Sequence, residues 1–284
     1  MNIRKPAVAG QFYPADAKEL SKTVKEALKN VPDSDLQGTP VAFLVPHAGY
    51  IYSAQTAAFS YKEISLHRFK NVILIGGSHN FPLQRSAVFP EGHFKTPLGT
   101  VEINKELAGK IIKNSHLFEP SIAPHIPEHS LEVQLPFLQT VLKEFKIVPI
   151  LLGNFNISQC KETGEAIAKS ISELGIAEKT VIVISSDMSH YPREDAAHSA
   201  DGEALKALEK FDPIFLQKTI KSIMSKGIPE LHVVFCAEEA LYTGMYAAKA
   251  LGSNRIKVLN YSNSAKVSCD PSRVVGYGAA VFLK

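Results

Sequence analysis

No apolar run in this sequence is longer than a β-strand needs, and Val41 to Val45 (VAFLV) is typical of the longest. A helix that crosses a bilayer takes about 20 consecutive apolar residues, so a membrane span is not expected. The opening stretch, MNIRKPAVAGQFYPAD, carries charge but lacks the long apolar segment of a signal-peptide core. Cysteine is scarce: Cys160, Cys236 and Cys269 are odd in number and far apart, which argues against a disulfide framework. Together these absences predict a soluble, cytoplasmic protein with no membrane partner. An excess of one charge is also lacking, with 31 Lys and Arg against 28 Asp and Glu and a net charge of +3. No basic run of the kind that binds nucleic acid occurs, and a nucleic-acid partner is not expected. With no repeat, low-complexity tract or linker, the 284 residues are read as one domain, 1–284.

The residues that are present make a core. The composition is 45% hydrophobic and 21% charged, an ordinary globular mixture. Short runs rich in Val, Ile and Leu alternate with helical patterns, the signature of βαβ units on a mainly parallel or mixed central sheet with helices on both faces. The fold class predicted is α/β. Strands are expected at 41–46, 71–76, 147–152, 180–185, 256–261 and 274–283. Helices are expected to begin near Asp16, Ser53, Asn104, Leu131, Ser158, Ala200, Pro213 and Ala237. Asp16 and Glu19 stand at capping-box spacing before Leu20, Val24 and Leu28. Segments 31–39, 81–100 and 118–128 read as loops, because Pro and Gly interrupt their periodicity.

Chemistry collects at the carboxyl ends of the strands. The first ends in VPHAGY, the second in GGSHN, the third in GNFN and the fourth in SSDMSHY. Ligands of open α/β sheets bind in the crevice outside those ends. His47, His79, Asp187 and His190 are therefore expected to share one pocket. Singly, each has a plain structural explanation, such as a hydrogen-bonded histidine or a helix cap. Several metal-competent side chains in one place would be costly to desolvate without a purpose.

Two imidazoles and one anionic ligand with open positions make a non-haem Fe(II) arrangement. Cys236, in VVFCAEEAL just before a helical pattern, is the leading third donor, and a helix N-terminus favours its thiolate. Glu238 and Glu239 compete with it, although acidic residues in a first helical turn are also explained by the dipole. His190 suits general acid–base work, and Asp187 could orient it or join the metal shell. Glu128 and His129 in PEHSLE open a helix, and with Tyr52 they are candidate pocket residues. His67, His93, His116, His198 and His232 have no comparable context. The Gly76–Ser78 run lacks the spacing and lysine of a phosphate loop.

These residues carry a resemblance to the MEMO family, which includes bacterial and archaeal proteins labelled AmmeMemoRadiSam system protein B. It spans AGQFYPAD (Ala9 to Asp16), PHAGYIYS (Pro46 to Ser53), GGSHN, PEHSLEVQLPFL (Pro127 to Leu138), SSDMSHY, LNYSNS (Leu259 to Ser264) and VVGYGAAVF (Val274 to Phe282). The resemblance implies a fold like that of the class III extradiol dioxygenases, whose iron is held by two histidines and a glutamate, with cysteine replacing the glutamate in this family. By position it assigns His47, His79 and Cys236 as metal ligands, and likens His190, with Asp187 in the same element, to the dioxygenase acid–base residue. The chain departs from the family at Ala237, where glycine often follows the cysteine.

Three functions follow as expectations. The first is iron-dependent oxygen or redox chemistry on a small molecule or peptide, with zinc or another divalent transition metal as the alternative ion. The second is a binding module for a peptide or a partner such as a radical SAM protein. The third, ranked lowest, is a hydrolase with Cys236 as nucleophile, His190 as base and Asp187 as orienter. That last reading leaves His47 and His79 without a task.

Overall fold

The computed structural model describes residues 2–284. In chain order, β1 (Ile3–Arg4) leads to α1 (Ala17–Lys29), β2 (Pro40–Val45), α2 (Tyr50–Ser65) and β3 (Asn71–Gly76). Three short strands follow, β4 (Ser86–Val88), β5 (His93–Thr96) and β6 (Gly99–Glu102), then α3 (Lys105–Asn114) and β7 (Phe118–Pro120). Two 3-10 turns, Ala123–His125 and Glu132–Gln134, lead into α4 (Leu135–Val141). The chain continues through β8 (Lys146–Leu151), α5 (Ile157–Glu173), β9 (Thr180–Ser185), α6 (Glu194–Leu208), α7 (Pro213–Ser225) and α8 (Glu238–Ala250). It closes with β10 (Arg255–Asn263), α9 (Ala265–Ser268) and β11 (Gly276–Leu283).

The main sheet has the order β10-β11-β2-β9-β3-β8-β4-β7. Its centre, β2-β9-β3-β8, is parallel, whereas β11 joins β2, and β4 joins β8, antiparallel. Every residue of β2, β3 and β9 is buried, as strands covered on both faces require. Helices α1, α2 and α4 pack together over β2 and β11, and α3, α5 and α8 form the opposite layer over β2, β9 and β3. A three-stranded sheet, β1-β5-β6, stands apart from the main one. The fold is α/β, with a mixed sheet between helical layers. Among the described residues no helix is long and apolar enough to cross a membrane.

Local chemistry explains most boundaries. Asp16 caps α1 by accepting from the N–H groups of Lys18 and Glu19, and Leu20, Val24 and Ala27 form its buried stripe. Asn156 and Gln159 make a reciprocal capping box at the start of α5. Gly244 lets α8 lie directly on β9, since a Cβ there would stand 2.2 Å from Ile184 Cδ1.

Two expectations are corrected. Segment 81–100 is not a loop: β4, β5 and most of the β5–β6 hairpin lie in it, and β7 opens segment 118–128. These strands have three or four residues each, too few for a local period to show. Helix α6 begins at Glu194 rather than near Ala200, with Glu194 and Asp195 in its first turn and Pro192 just before its cap.

Candidate metal centre

Three neighbouring strands build the site. In register, Val45 of β2 pairs with Ser185 of β9, and Ser185 pairs with Gly76 of β3. Each chain then runs on past the sheet for two or three residues, which delivers His47, Asp187 and His79 to the same crevice. Gly76 permits the approach of the Ser130 loop, because a Cβ there would lie 2.8 Å from Leu131 Cδ2 and 2.9 Å from Ser130 Oγ. Cys236 arrives from the segment before α8 and is tied down by its N–H, which donates to the Asp187 carbonyl at 3.2 Å.

The donor atoms of His47, His79 and Cys236 all lie within 4.8 Å of one another. His47 is buried, Cys236 is half-buried and His79 opens to solvent. Hydrogen bonds decide which nitrogen each imidazole offers. The Ser185 hydroxyl donates its one proton to the Ser130 carbonyl (2.7 Å) and accepts from Gln134 Nε2 (2.9 Å). It can therefore only accept from His47 Nδ1, 3.0 Å away, and the His47 Nε2 lone pair is left facing the pocket. His79 Nδ1 lies 2.8 Å from Glu128 Oε1, so Nε2 is again the free donor. A carboxylate on the far nitrogen of an imidazole is the usual support of a metal-bound histidine.

The donor set fits a divalent transition metal. His47 Nε2 and Cys236 Sγ are 3.1 Å apart. With bonds of about 2.1 Å to nitrogen and about 2.3 Å to sulfur, a right angle at an ion separates the two donors by about 3.1 Å and a tetrahedral angle by about 3.6 Å. At 3.1 Å the two donors are close enough for both to reach one ion. Cys236 Sγ also accepts from the Asp187 N–H at 3.2 Å and lies 3.6 Å from Ser186 Oγ, contacts that suit a thiolate.

The profile described as "Memo-like protein" matches residues 4–281. The chain belongs to the Memo family. A "MEMO1 family protein" of Aquifex aeolicus is 37% identical over 284 residues, covering 100% of both chains. Another of Methanobrevibacter smithii is 36% identical over 290 residues and covers 99% of each. A third, of Nitrosopumilus maritimus, is 36% identical and covers 99% of this chain and 100% of the relative.

Within this Memo-family site the other expected residues divide clearly. Asp187 is buried and accepts from the N–H groups of His47 (2.7 Å) and Ala48 (3.2 Å), so it anchors the β2 turn rather than capping a helix. Burial pushes its pKa up to about 7 against those two bonds. His129 stands in the pocket, its ring centroid 4.6 Å from that of His79 and 5.4 Å from that of His47. Burial and then the His79 charge bring its pKa down to about 4. His190 is held by its backbone, its N–H donating to Val233, while its Nε2 is buried without a hydrogen-bond partner. Burial, with His79 and His232 adding to it, lowers its pKa to about 4. Tyr52 is half-exposed on the first turn of α2 and, among the described residues, makes no hydrogen bond to the three donors. Tyr50 is structural: its hydroxyl donates to the Val133 carbonyl at 2.6 Å.

Glu238 is engaged by the Tyr242 hydroxyl at 2.9 Å, and neither it nor Glu239 belongs to the group with His47 and His79. Ala237 has φ −132°, a conformation open to any L-residue, so the family's frequent glycine is not demanded there. The Cys236–His190–Asp187 trio has no hydrogen bonds linking it among the described residues: His47 is the imidazole against the sulfur, and of the Asp187 carboxylate Oδ1 accepts the two backbone N–H groups while Oδ2 stands 4.0 Å from His47 Nε2. Burial, then the Asp187 charge, push the Cys236 thiol well above its ordinary pKa, which disfavours a free nucleophile. Sequence reading missed Ser185 and Gln134. A polar residue closing the apolar run Val181 to Ile184 was the available signal for Ser185.

Proposed function

We propose that this Memo-family chain is a metalloprotein in which His47, His79 and Cys236 hold Fe(II) for oxygen or redox chemistry on a small molecule or peptide. The observation that carries the reading is the convergence of one ring nitrogen from each of two histidines and one sulfur within 4.8 Å, with hydrogen bonds to His47 Nδ1, His79 Nδ1 and the sulfur that fix all three side chains. Two imidazoles and one anionic sulfur with room for further ligands make a non-haem Fe(II) donor set, with zinc the alternative ion. Iron held there would supply open positions at which oxygen or substrate could be activated. Ser185 and Glu128 keep the two imidazoles in the ligating tautomer. Asp187 fixes the turn that carries His47. His190, neutral and with an unpartnered Nε2, is suited to take a proton from a bound substrate and return it to product. The test is anaerobic reconstitution with Fe(II) and Zn(II) in parallel, followed by metal analysis. One equivalent of iron, lost in His47→Ala and Cys236→Ser, is expected. No stoichiometric iron and no effect of His47→Ala would overturn the reading.

A second reading, a binding module for a peptide or a radical SAM protein, is favoured by one feature. Ile51, Tyr52, Phe81 and Ile126 are all exposed, and all sit within five residues of His47, His79 or Glu128 in the chain. Partner binding that survives replacement of His47, His79 and Cys236 together would support this reading. Loss of binding in that triple variant would tie recognition to the metal site.

A further inference from the structure

The most heavily invested polar contact in the protein lies outside the donor set. Arg4, in β1, and Glu132 form an ion pair whose side chains are both 0% exposed. Glu132 also accepts from the N–H groups of Ala7 (2.8 Å) and Val8 (3.1 Å) and from the Tyr13 hydroxyl (2.5 Å). The Arg4 guanidinium meanwhile donates to three carbonyls within four residues of one loop: those of His125 (2.8 Å), Ile126 (3.3 Å) and Glu128 (2.5 Å). Its outer face lies over the Phe94 ring at 5.0 Å.

A buried ion pair is a weak way to gain stability, since desolvation consumes most of the attraction. What this pair does geometrically is specific. It fixes the backbone of the residue whose carboxylate orients His79. The same N-terminal segment continues to Phe12, whose ring packs on His129 at 4.8 Å and whose carbonyl accepts from the Tyr50 N–H, three residues beyond His47, at 2.7 Å. One strap thus touches the supports of three pocket imidazoles.

We propose that Arg4 and Glu132 are positioning residues of the metal centre, acting through Glu128 to hold His79 Nε2 on the ion. This rests on the reading of His47, His79 and Cys236 as ligands. Lysine at position 4 keeps the charge but cannot span three carbonyls with one planar fork. In R4K the affinity for Co(II), used as an oxygen-stable probe ion, is expected to fall about tenfold, the lower end of the range for losing an outer support of a ligand. In an E128Q background the same substitution should change affinity less than about twofold, because the support it acts through is already impaired.

The closing experiment is this double-mutant cycle on the full chain, with ring-proton NMR of the metal-free proteins to follow the His79 Nδ1–H. R4M/E132Q serves as a second variant should R4K not fold, since it removes both buried charges together and the one carbonyl oxygen of glutamine still accepts from one of the Ala7 and Val8 N–H groups. Expected is a tenfold affinity loss together with faster exchange of the His79 ring proton. An unchanged affinity, or an equal loss in the E128Q background, overturns the proposal. If wild-type protein binds no ion yet R4K still releases the ring proton, positioning by Arg4 stands and the metal reading fails.

Discussion

Glu128→Gln is the sharpest single perturbation of the site, because it preserves shape and removes one charge. Glu128 Oε1 accepts from His79 Nδ1 and the Ser130 N–H, and Oε2 accepts from the His79 N–H at 2.8 Å. Burial opposes its ionisation, but the His79 ion pair and these N–H groups outweigh it and hold its pKa well below the usual carboxylate range. A glutamine must place its NH2 against a donor in either orientation, so one contact becomes repulsive. Hydrogen bonds to a charged partner contribute about 1.5–3 kcal/mol and neutral ones about 0.5–1.5 kcal/mol, a difference near 1.4 kcal/mol or tenfold in affinity. Metal affinity should therefore fall about tenfold, and the metal-free fold should lose about 1–3 kcal/mol for the mismatched donor. Because Glu128 raises the His79 pKa in the metal-free protein, a proton competes with the ion, and titration at about pH 8 keeps that competition small. Calorimetric titration with Co(II) and urea unfolding read the two quantities separately. An affinity within twofold of wild type would refute the carboxylate–imidazole support.

Other perturbations test other links. Ser185→Ala strands His47 Nδ1, while Gln134 Nε2 keeps its bonds to the Pro46 and Ser130 carbonyls, so about 1–3 kcal/mol of stability and roughly tenfold in metal affinity should go. Normal affinity in that variant would mean that His47 is fixed by something else. Gly244→Ala drives a methyl into Ile184 and should cost about 1–3 kcal/mol in thermal or urea unfolding, with no cost if α8 can lift from β9. Asp201, with a pKa lifted to about 6 by burial, binds a proton more tightly folded than unfolded. Its share of stability is thus present at low pH and is lost as pH rises from about 4 to about 6, worth about 3 kcal/mol at most. Urea unfolding of wild type and Asp201→Asn across that window should show the variant gaining relative stability with pH, and parallel curves would sink the assignment.

The legible part of the fold was the part with local signals. Long apolar strands and capped helices announce themselves, and the strand-end rule points His47, His79, Asp187 and His190 toward one crevice, where donor atoms of His47 and His79 lie within 4.8 Å of each other and of Cys236. The order β2-β9-β3 does not follow from chain order, and it is this order that seats Ser185 between the two histidine strands. Gln134, Arg4 and Glu132 were unreadable for the same reason: each acts across more than 50 residues of sequence. Glu128 was visible as a pocket residue but not as the support of His79, which needs the loop's path over β3. Short strands such as β4 are stabilised by partners, not by their own period.

The charge balance of the pocket says what it is built to receive. Without an ion, burial drives His47, His129 and His190 toward the neutral form, holds Cys236 as a thiol and leaves Asp187 near half-ionised at neutrality. The His79–Glu128 pair is self-compensating. A dication entering this space would meet two free imidazole lone pairs, and its field would favour the thiolate of Cys236 and the carboxylate of Asp187, two negative charges for its two positive ones. The Asp187 N–H already points at the sulfur and would stabilise that charge. A nucleophilic cysteine would need the opposite arrangement, a cation in the apo protein, and of the four pocket imidazoles His47, His129 and His190 are driven neutral while the charge favoured on His79 is already taken by Glu128.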